Sequence, residues 1–232
     1  MSSTSNDGQR RLARICVLVS GNGSNLQAIL DATAPGKPLA ELARVTLVVS
    51  NRASAYGLER ARNAGVPTRV HQLKPYRDRG VAEPRQQFDR DLADLVLANS
   101  GGPSQDDATA TTPGAPDLVV LAGWMHILSP AFLDQFPNRV INLHPALPGE
   151  FDGVNSIGRA FDAYKAGQLT RTGVMVHCVV PEVDRGAPIL LEAVPIHAED
   201  TLETLEARMH TVEHRLLVQA IAKYLREIPL VN

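Results

Sequence analysis

The stretch Arg-Ile-Cys-Val-Leu-Val-Ser-Gly-Asn-Gly-Ser-Asn, residues 14–25, decides the fold of this chain. Its apolar first half predicts a buried β-strand, and the glycine turn that follows predicts a helix beginning at Asn25. Strand-like and helix-like runs alternate in this way up to about residue 145. Because each buried strand is followed by a helix that can cover it, this alternation is typical of a parallel sheet.

We therefore predict an α/β fold: an open, twisted, mostly parallel sheet of the Rossmann-like type, with helices on both faces. Two β-rich runs at 173–180 and 187–195 are joined by a polar turn, which predicts an antiparallel C-terminal part. A long helix at 201–226 is expected to close the chain.

The expected organisation is a disordered tail at 1–13, a single domain at 14–228 and a mobile insertion at 99–116. The 232 residues suffice for one well-buried domain, whereas two domains would each be small. The insertion is rich in Gly, Pro, Ser, Thr, Asp and Ala and has no large apolar side chain. Such a segment cannot bury enough surface to offset the entropy lost on ordering.

The net charge, the cysteines and the lengths of the apolar segments indicate which partners and which cellular compartment to expect. The formal net charge is -2, so no basic field attracts nucleic acid or an anionic membrane. Cys16 and Cys178 both lie in apolar runs and are expected to be free thiols in a reducing compartment, for which the cytoplasm fits best. No apolar segment approaches the length of a membrane span. The expected partners are small-molecule substrates, and a second copy of the chain, forming a homodimer, is a further candidate.

The segment Val-Ile-Asn-Leu-His-Pro, residues 140–145, carries the main chemical signal. Side chains at i and i+2 of a strand point the same way, so the Asn142 amide and the His144 imidazole aim at one point. Together they can donate hydrogen bonds to an oxygen that gains negative charge during acyl transfer. The alternative is a strand-end cap beside a satisfied core histidine.

Asp184 lies in a polar turn between the two β-rich runs. If its carboxylate faces His144, it favours the imidazolium, raises the pKa of that histidine and makes the ring a proton donor near neutral pH. The alternative is an ordinary turn residue, which turn preference alone favours.

The loop at 20–25 is predicted to lie at a helix N-terminus with its backbone N–H groups pointing to one place. Such N–H groups can bind a phosphate. Leu26 replaces the third glycine of the dinucleotide fingerprint and no Walker A lysine is present, so neither a nicotinamide cofactor nor ATP is favoured. The alternative is a tight turn capped by Ser24 or Asn25. In a doubly wound sheet, this loop should share one crevice with residues 50–52, 123–126 and 142–144.

One rival motif is His-Thr-Val-Glu-His at 210–214, which fits an inverted zinc-peptidase pattern. A zinc site needs a third ligand, and nothing in the spacing of the other residues supplies one. We therefore expect no metal.

Five segments together resemble the phosphoribosylglycinamide formyltransferases of the folate-dependent formyltransferase family, in identity and order, over roughly residues 14–225. They are Gly-Asn-Gly-Ser-Asn-Leu-Gln-Ala-Ile at 21–29, Ser-Asn-Arg-Ala-Ser at 50–54, Leu-Ala-Gly-Trp-Met-His-Ile-Leu-Ser-Pro at 121–130, Ile-Asn-Leu-His-Pro at 141–145 and Asp-Arg-Gly-Ala-Pro-Ile-Leu at 184–190. The resemblance implies a Rossmann-like formyltransferase fold and 10-formyltetrahydrofolate as the formyl-donor co-substrate.

The resemblance also implies roles for individual residues. It makes Asn142, His144 and Asp184 the catalytic trio. It implies that phosphoribosylglycinamide is held by Gly23, Ser24, Asn25, Glu213 and His210. It implies that the folate is held by Arg85, Met125, His126, Ile127, Leu128 and Asn142.

The chain departs from the family at two places near the expected folate site. Relatives usually read Met-Arg-Ile-Leu where residues 125–128 are Met-His-Ile-Leu, and His-Pro-Ser-Leu-Leu-Pro where residues 144–149 are His-Pro-Ala-Leu-Pro-Gly. We expect the changes at 146–149 to reshape the folate entrance without affecting the trio.

The predicted function is formyl transfer from 10-formyltetrahydrofolate to the amine of 5'-phosphoribosylglycinamide in purine biosynthesis. A formyltetrahydrofolate hydrolase remains the main alternative, because water can replace the amine in the same chemistry. A transfer-RNA formyltransferase would need a nucleic-acid-binding surface, and a phosphosugar-binding module would leave the trio unexplained.

Overall fold

The computed structural model describes residues 11–101 and 113–230. These residues form a seven-stranded sheet with the order β3-β2-β1-β4-β5-β6-β7. The strands are β1 (Ala13–Val19), β2 (Ala43–Ser50), β3 (Thr68–Val70), β4 (Leu118–Leu121), β5 (Val140–His144), β6 (Arg171–Cys178) and β7 (Pro188–Pro195). The helices are α1 (Ser24–Ala32), α2 (Tyr56–Asn63), α3 (Lys74–Asp78), α4 (Pro84–Asn99), α5 (Pro130–Leu133), α6 (Ser156–Lys165) and α7 (Leu202–Glu227).

The predicted fold class is confirmed. Strands β1 to β5 pair in parallel, and β6 and β7 pair antiparallel to their neighbours. The chain runs outward from β1 to β3 and then returns to place β4 on the other side of β1. The strand order therefore reverses between β1 and β4, which is where a doubly wound sheet forms its ligand crevice.

Alternate residues of β1 belong to two separate hydrophobic cores, one on each face of the sheet. Ile15 and Val17 pack into a core that includes α1 and α7, and Cys16 and Leu18 pack into one that includes α4 and α5. All four side chains are fully buried. A strand buried on both faces has no polar alternation, which is why this segment reads as a continuous apolar run.

Some predicted boundaries differ from the observed ones. Helix α3 was not predicted, because its five residues are too few to show a helical period. Of the predicted disordered tail at 1–13, residues 11–13 are described: Ala13 begins β1, and Arg11 pairs with Asp117 at 2.7 Å. Residues 1–10 lie outside the described residues, as do 102–112 of the predicted insertion.

Helix α7 confirms the predicted long C-terminal helix. Its first turn is closed by a capping box in which the Thr201 and Thr204 side chains each bond the backbone N–H of the other. Its buried side, including Leu205, Met209 and Leu216, packs on the core beside α1. Among the described helices, none is long and apolar enough to cross a membrane.

Candidate active site

A cleft of about 470 Å³ opens beyond the carboxyl ends of β1, β4 and β5. Three of the four segments predicted to share a crevice line it: Asn25 after β1, residues 123–126 after β4, and residues 142–144 in β5. The fourth segment does not, because Asn51 and Arg52 line a smaller neighbouring cavity.

Asp184 brings its carboxylate to both residues of the β5 pair. Its Oδ2 lies 3.5 Å from Nδ1 of His144, and its Oδ1 accepts a hydrogen bond from Nδ2 of Asn142 at 3.3 Å. The backbone N–H of Gly153 donates to Oδ2 at 2.9 Å. The side chains of His144 and Asp184 are only 4% and 8% exposed, so Asp184 is not an ordinary solvent-facing turn residue. The structure thus brings Asn142, His144 and Asp184 together.

His177 belongs to the same cluster and was missed by the sequence analysis. It pairs with Asn142 across β5 and β6, and its Nε2 lies 3.2 Å from the Asn142 amide nitrogen and 3.5 Å from Asp184 Oδ1. Its Nδ1 lies 2.8 Å from the Cys178 carbonyl oxygen, so a neutral ring donates there and presents the Nε2 lone pair to Asn142. The signal available in the sequence was a single histidine inside an apolar strand.

This packing leaves part of the Asn142 amide free. The two acceptor atoms, Asp184 Oδ1 and His177 Nε2, are themselves 3.5 Å apart and lie on the same side of the amide nitrogen. One N–H can face both of them, and the second N–H remains available to a ligand in the cleft.

The prediction that the pKa of His144 is raised is wrong in its net direction. Burial lowers this pKa more than the charge of Asp184 raises it, so the ring is held towards its neutral form. Nδ1 faces Asp184, while Nε2 is buried without a hydrogen-bond partner. Burial alone would raise the pKa of Asp184, but the neighbouring His177 ring and the hydrogen bond from the Gly153 N–H lower it. In this structure a neutral imidazole therefore faces an ionised carboxylate.

Gly186 allows the Asp184 turn to lie against β6. A Cβ atom added at Gly186 would lie 1.6 Å from the carbonyl oxygen of Cys178 and 3.1 Å from the His177 ring. The first contact is too short for any side chain and the second is unusually tight, so only glycine permits this approach. The same turn holds Asp184 at φ 55, a left-handed conformation that Asp tolerates better than most residues.

Gly186→Ala is expected to destabilise the protein by about 1 to 3 kcal/mol, because the turn must move away from β6. Formyl-transfer activity should fall with it, since Asp184 moves together with the turn. Urea unfolding measures the first effect and steady-state kinetics the second. As a stability control, Gly21→Ala meets no atom within 4 Å and should change the free energy of unfolding by less than about 0.5 kcal/mol.

The glycine loop after β1 leaves its backbone donors free, as a phosphate site requires. Gly23 occupies the N-cap position of α1 at φ 76, and no side chain caps the helix. The capping by Ser24 or Asn25 that the alternative interpretation predicted is therefore wrong, although the segment does form a tight turn at Gly23. A Cβ atom on Gly23 would lie 2.6 Å from Cα of Gly57, so the close approach of α2 also requires this glycine. The first N–H groups of α1, at the Ser24 end, face outward with no side-chain partner.

Asn25 extends towards α7, where its amide donates to Glu213 Oε2 at 3.0 Å. Glu213 is 5% exposed and lines the cleft with His210, one turn earlier on the same helix. Arg60, which was not predicted, donates to the Asn22 carbonyl at 2.9 Å and braces the loop. Its charge also helps lower the pKa of His214, after burial as the larger cause. The loop is thus bordered by cationic and imidazole groups.

Most of the predicted folate residues line the cleft, namely Met125, His126, Ile127, Leu128 and Asn142, whereas Arg85 is not part of its lining. Met125 and Ile127 are 62% and 59% exposed at its mouth, whereas Leu128 is almost fully buried. Arg85, the second residue of α4, donates to His126 Nδ1 at 3.2 Å and to the Ile127 carbonyl. Burial and the Arg85 charge both lower the pKa of His126, which keeps that ring neutral. This part of the cleft is therefore lined mainly by apolar side chains, and Arg85 contacts it only through His126 and Ile127.

The altered loop at 146–149 does not reach the cleft wall. Pro145 is the last residue of this segment that lines the cleft, and Ala146 is fully buried. Residues 146–149 therefore do not line the cleft, and they cannot reshape the folate entrance by direct contact.

Two groups of residues bear on the prediction that no metal is bound. His144, Asp152 and Asp184 place one ligand-type atom each within 4.8 Å of one another. However, Arg185 donates to Asp152 at 2.7 Å, and this bound guanidinium offsets the charge that would attract a cation. The rings of His210 and His214 stack 6.5 Å apart, and they do not form a set of three with other ligand-type groups among the described residues.

Comparisons with known proteins agree with this geometry. A family model described as formyl transferase matches residues 13–221. The phosphoribosylglycinamide formyltransferase of Schizosaccharomyces pombe is 48% identical over 214 residues, covering 90% of this chain and 96% of its own. The enzyme of that name from Saccharomyces cerevisiae is 41% identical over 231 residues, covering 94% and 99%. The crystal structure of glycinamide ribonucleotide transformylase 1 from Symbiobacterium toebii matches with a TM-score of 0.77 at 35% identity, covering 97% and 96%. The chain belongs to the formyl transferase family.

Proposed function

We propose that this protein is a phosphoribosylglycinamide formyltransferase, which transfers a formyl group from 10-formyltetrahydrofolate to the substrate amine. The observation that carries the proposal is one cleft that holds Asn142, His144 and Asp184 between a free helix N-terminus and an apolar mouth whose residue Ile127 is bonded to Arg85. The named relatives support a transferase over the alternative deformylase.

Asn142 is proposed to hold the formyl oxygen. The substrate amine attacks the formyl carbon, a C–N bond forms, and the carbonyl oxygen becomes an oxyanion. The N–H of Asn142 that is not directed at Asp184 and His177 can donate to this oxygen. Because Asn142 is fixed by two partners, its amide needs no reorganisation as the charge develops.

His144 is proposed to move the proton, with Asp184 as its partner. The attacking amine must lose a proton, and N10 of the folate must gain one as the bond from N10 to the formyl carbon breaks. The unpartnered Nε2 of a neutral His144 can accept the first proton, and the resulting imidazolium lies beside an ionised Asp184. That imidazolium can then donate to N10, releasing tetrahydrofolate and the formamide. The products require no covalent enzyme intermediate.

The two ends of the cleft suit the two substrates. We assign the phosphate to the N-terminus of α1, where Gly23, Ser24 and Asn25 present the loop. Glu213 and His210 then face the ribose and amide part of the molecule. The folate is assigned to the opposite end, beside Arg85 and residues 125–128, with Asn142 between the two substrates.

A single assay tests this function against its competitors. Purified protein is mixed with 10-formyltetrahydrofolate, with and without phosphoribosylglycinamide, and tetrahydrofolate and formate are followed separately. We expect tetrahydrofolate to form only when the amine is present, with no release of formate. Formate release without the amine would identify a hydrolase, and no turnover in either mixture would leave only a binding module.

Glu213→Ala is expected to raise the KM for phosphoribosylglycinamide roughly 10- to 100-fold, because a buried, charged hydrogen-bonding group is lost. The change also leaves the Asn25 amide without its partner. Glu213→Gln, which retains an acceptor for Asn25, should have a smaller effect. Glu203→Gln, in the exposed first turn of the same helix, serves as the control and should keep the wild-type KM. An unchanged KM in Glu213→Ala would place the substrate elsewhere.

Predictions about the cellular compartment, the homodimer and the absence of a metal requirement remain to be tested. Cys16 and Cys178 are free thiols, which supports a reducing compartment such as the cytoplasm. Self-association into a homodimer and the expected lack of a metal requirement are each open to direct measurement, by sedimentation and by activity after chelator treatment.

A further inference from the structure

Helix α2 contacts the glycine loop through hydrogen bonds to two successive carbonyl groups. The N–H of Gly57 donates to the Gly21 carbonyl oxygen at 3.1 Å, and Nε of Arg60 donates to the Asn22 carbonyl oxygen at 2.9 Å. Neither Gly57 nor Arg60 lines the main cleft. The helix therefore acts on the loop from outside the cleft.

These two bonds fix the direction of the N–H groups in the loop. In a trans peptide the C=O and the N–H point in opposite directions. The carbonyls of Gly21 and Asn22 face α2, so the N–H groups of the same two peptides, on Asn22 and Gly23, point away from it. Within the described part of the chain, neither N–H has a hydrogen-bond partner. Two donors are thus left available beside the N-terminus of α1, to which the phosphate is assigned.

The guanidinium of Arg60 is held in one orientation by its neighbours. Its Nη2 donates to Oδ1 of Asn22 at 3.0 Å, and its Nη1 donates to Oε1 of Gln27 at 3.2 Å. The group also lies over the Tyr56 ring, 4.9 Å from the ring centroid. Because the donor is charged, its bond to the Asn22 carbonyl polarises that peptide, which makes the N–H of Gly23 a stronger donor.

Arg60 also supplies a positive charge that the cleft wall lacks. Among the described residues that line the cleft there is no lysine or arginine, whereas Asp184, Glu206 and Glu213 are acidic. A phosphate dianion brought next to acidic groups needs a cation nearby. The Arg60 guanidinium is always protonated, and its bonds go to carbonyl and amide oxygens, so no carboxylate bonded to it offsets its charge.

We propose that Arg60 is a positioning residue for phosphoribosylglycinamide: through the Asn22–Gly23 peptide it directs and strengthens the loop donors, and its charge offsets that of the phosphate. The protein should therefore select the phosphorylated amine over the glycinamide riboside, which lacks the phosphate. The proposal rests on the proposed function, because it uses the assignment of the phosphate to the N-terminus of α1. Arg60 lies outside the cleft, so it should affect the binding of this substrate and leave the chemical step unchanged.

The kinetic test compares phosphoribosylglycinamide with the glycinamide riboside as formyl acceptors. R60Q should raise the KM for phosphoribosylglycinamide about five- to tenfold, as expected for the loss of one partly exposed charge, and should keep kcat within about twofold of wild type. The kcat/KM for the riboside and the KM for 10-formyltetrahydrofolate should not change. R60K keeps the charge but not the fork of donors, so its KM should lie between those of wild type and R60Q.

The matched control is R62Q. It changes the net charge by the same amount and removes an arginine of the same helix whose guanidinium pairs with Glu59 instead of the loop. It should keep the wild-type KM for both acceptors. A loss in R60Q that is equally large for the riboside would overturn the proposal, because the effect would not involve the phosphate. R60K as impaired as R60Q would also overturn it, by showing that the charge has no part in the effect.

Calorimetry separates failure of this role from failure of the proposed function. Phosphoribosylglycinamide is titrated into wild type, R60Q and R62Q without folate, which needs no turnover. An affinity about five- to tenfold weaker in R60Q and normal in R62Q supports the role of Arg60 even if no formyl transfer is detected. Equal affinities in wild type and R60Q would overturn the proposal even if formyl transfer proceeds.

Discussion

Asn142→Ala is expected to lower kcat about 100- to 1000-fold, which corresponds to about 3 to 4 kcal/mol of transition-state stabilisation. Asn142 is proposed to donate to the formyl oxygen as that oxygen gains charge, and an alanine side chain has no donor to take its place. The KM for phosphoribosylglycinamide should change little, because that substrate is assigned to Asn25 and Glu213 at another part of the cleft. Steady-state kinetics with both substrates varied measure both quantities.

The control for this variant is Asn63→Ala, which removes an exposed asparagine at the end of α2. It should retain wild-type kcat. If Asn142→Ala folds normally and turns over at close to the wild-type rate, Asn142 is not the oxyanion donor. Asn142→Asp provides an independent check, because it places a second carboxyl group beside Asp184 and should also be strongly impaired.

Asp184→Asn is expected to lower kcat at least about 100-fold and to shift the pH dependence of kcat/KM. In the free protein, burial lowers the pKa of His144 while Asp184 raises it. Removing the carboxylate therefore lowers this pKa further. Because the proposed mechanism needs a neutral His144 to accept the amine proton, kcat/KM rises as pH rises through this pKa. The acid limb of the profile should accordingly move to lower pH in the variant.

The control for the pH effect is Asp152→Asn. Asp152 also raises the pKa of His144, but it is the smallest of the causes, so its loss should move the acid limb less. A profile from Asp184→Asn that overlies the wild-type profile would mean that Asp184 does not tune His144. A fall in kcat without that shift would leave Asp184 a purely positioning role.

The sequence predicted the sheet well because its strands are buried on both faces. Residues 15–19 and 118–122 are continuous apolar runs of the length typical of core strands, and the glycine turn after the first of them leads into helix α1. Helix α3 was missed for the opposite reason, since five residues bounded by Leu73 and Arg79 carry no periodic signal.

The candidate site was predicted less completely than the fold. Motifs located Asn142, His144 and Asp184, but nothing in their spacing revealed that His177 completes the cluster from the opposite strand. The pKa of His144 was wrong in sign because it depends on how deeply the ring is buried, and only packing sets that depth. The contact between Gly186 and Cys178 is likewise a consequence of tertiary packing.

The two edges of the sheet should differ in how well they tolerate an inserted sequence. Helix α4 ends at Asn99 and β4 begins at Leu118, so both ends of the intervening segment meet the sheet at its amino edge. The cleft lies at the carboxyl edge, a full strand length away. A fluorophore or a purification tag inserted between residues 101 and 113 would therefore start and finish on the side remote from catalysis. A reporter attached there should leave formyl-transfer activity unchanged.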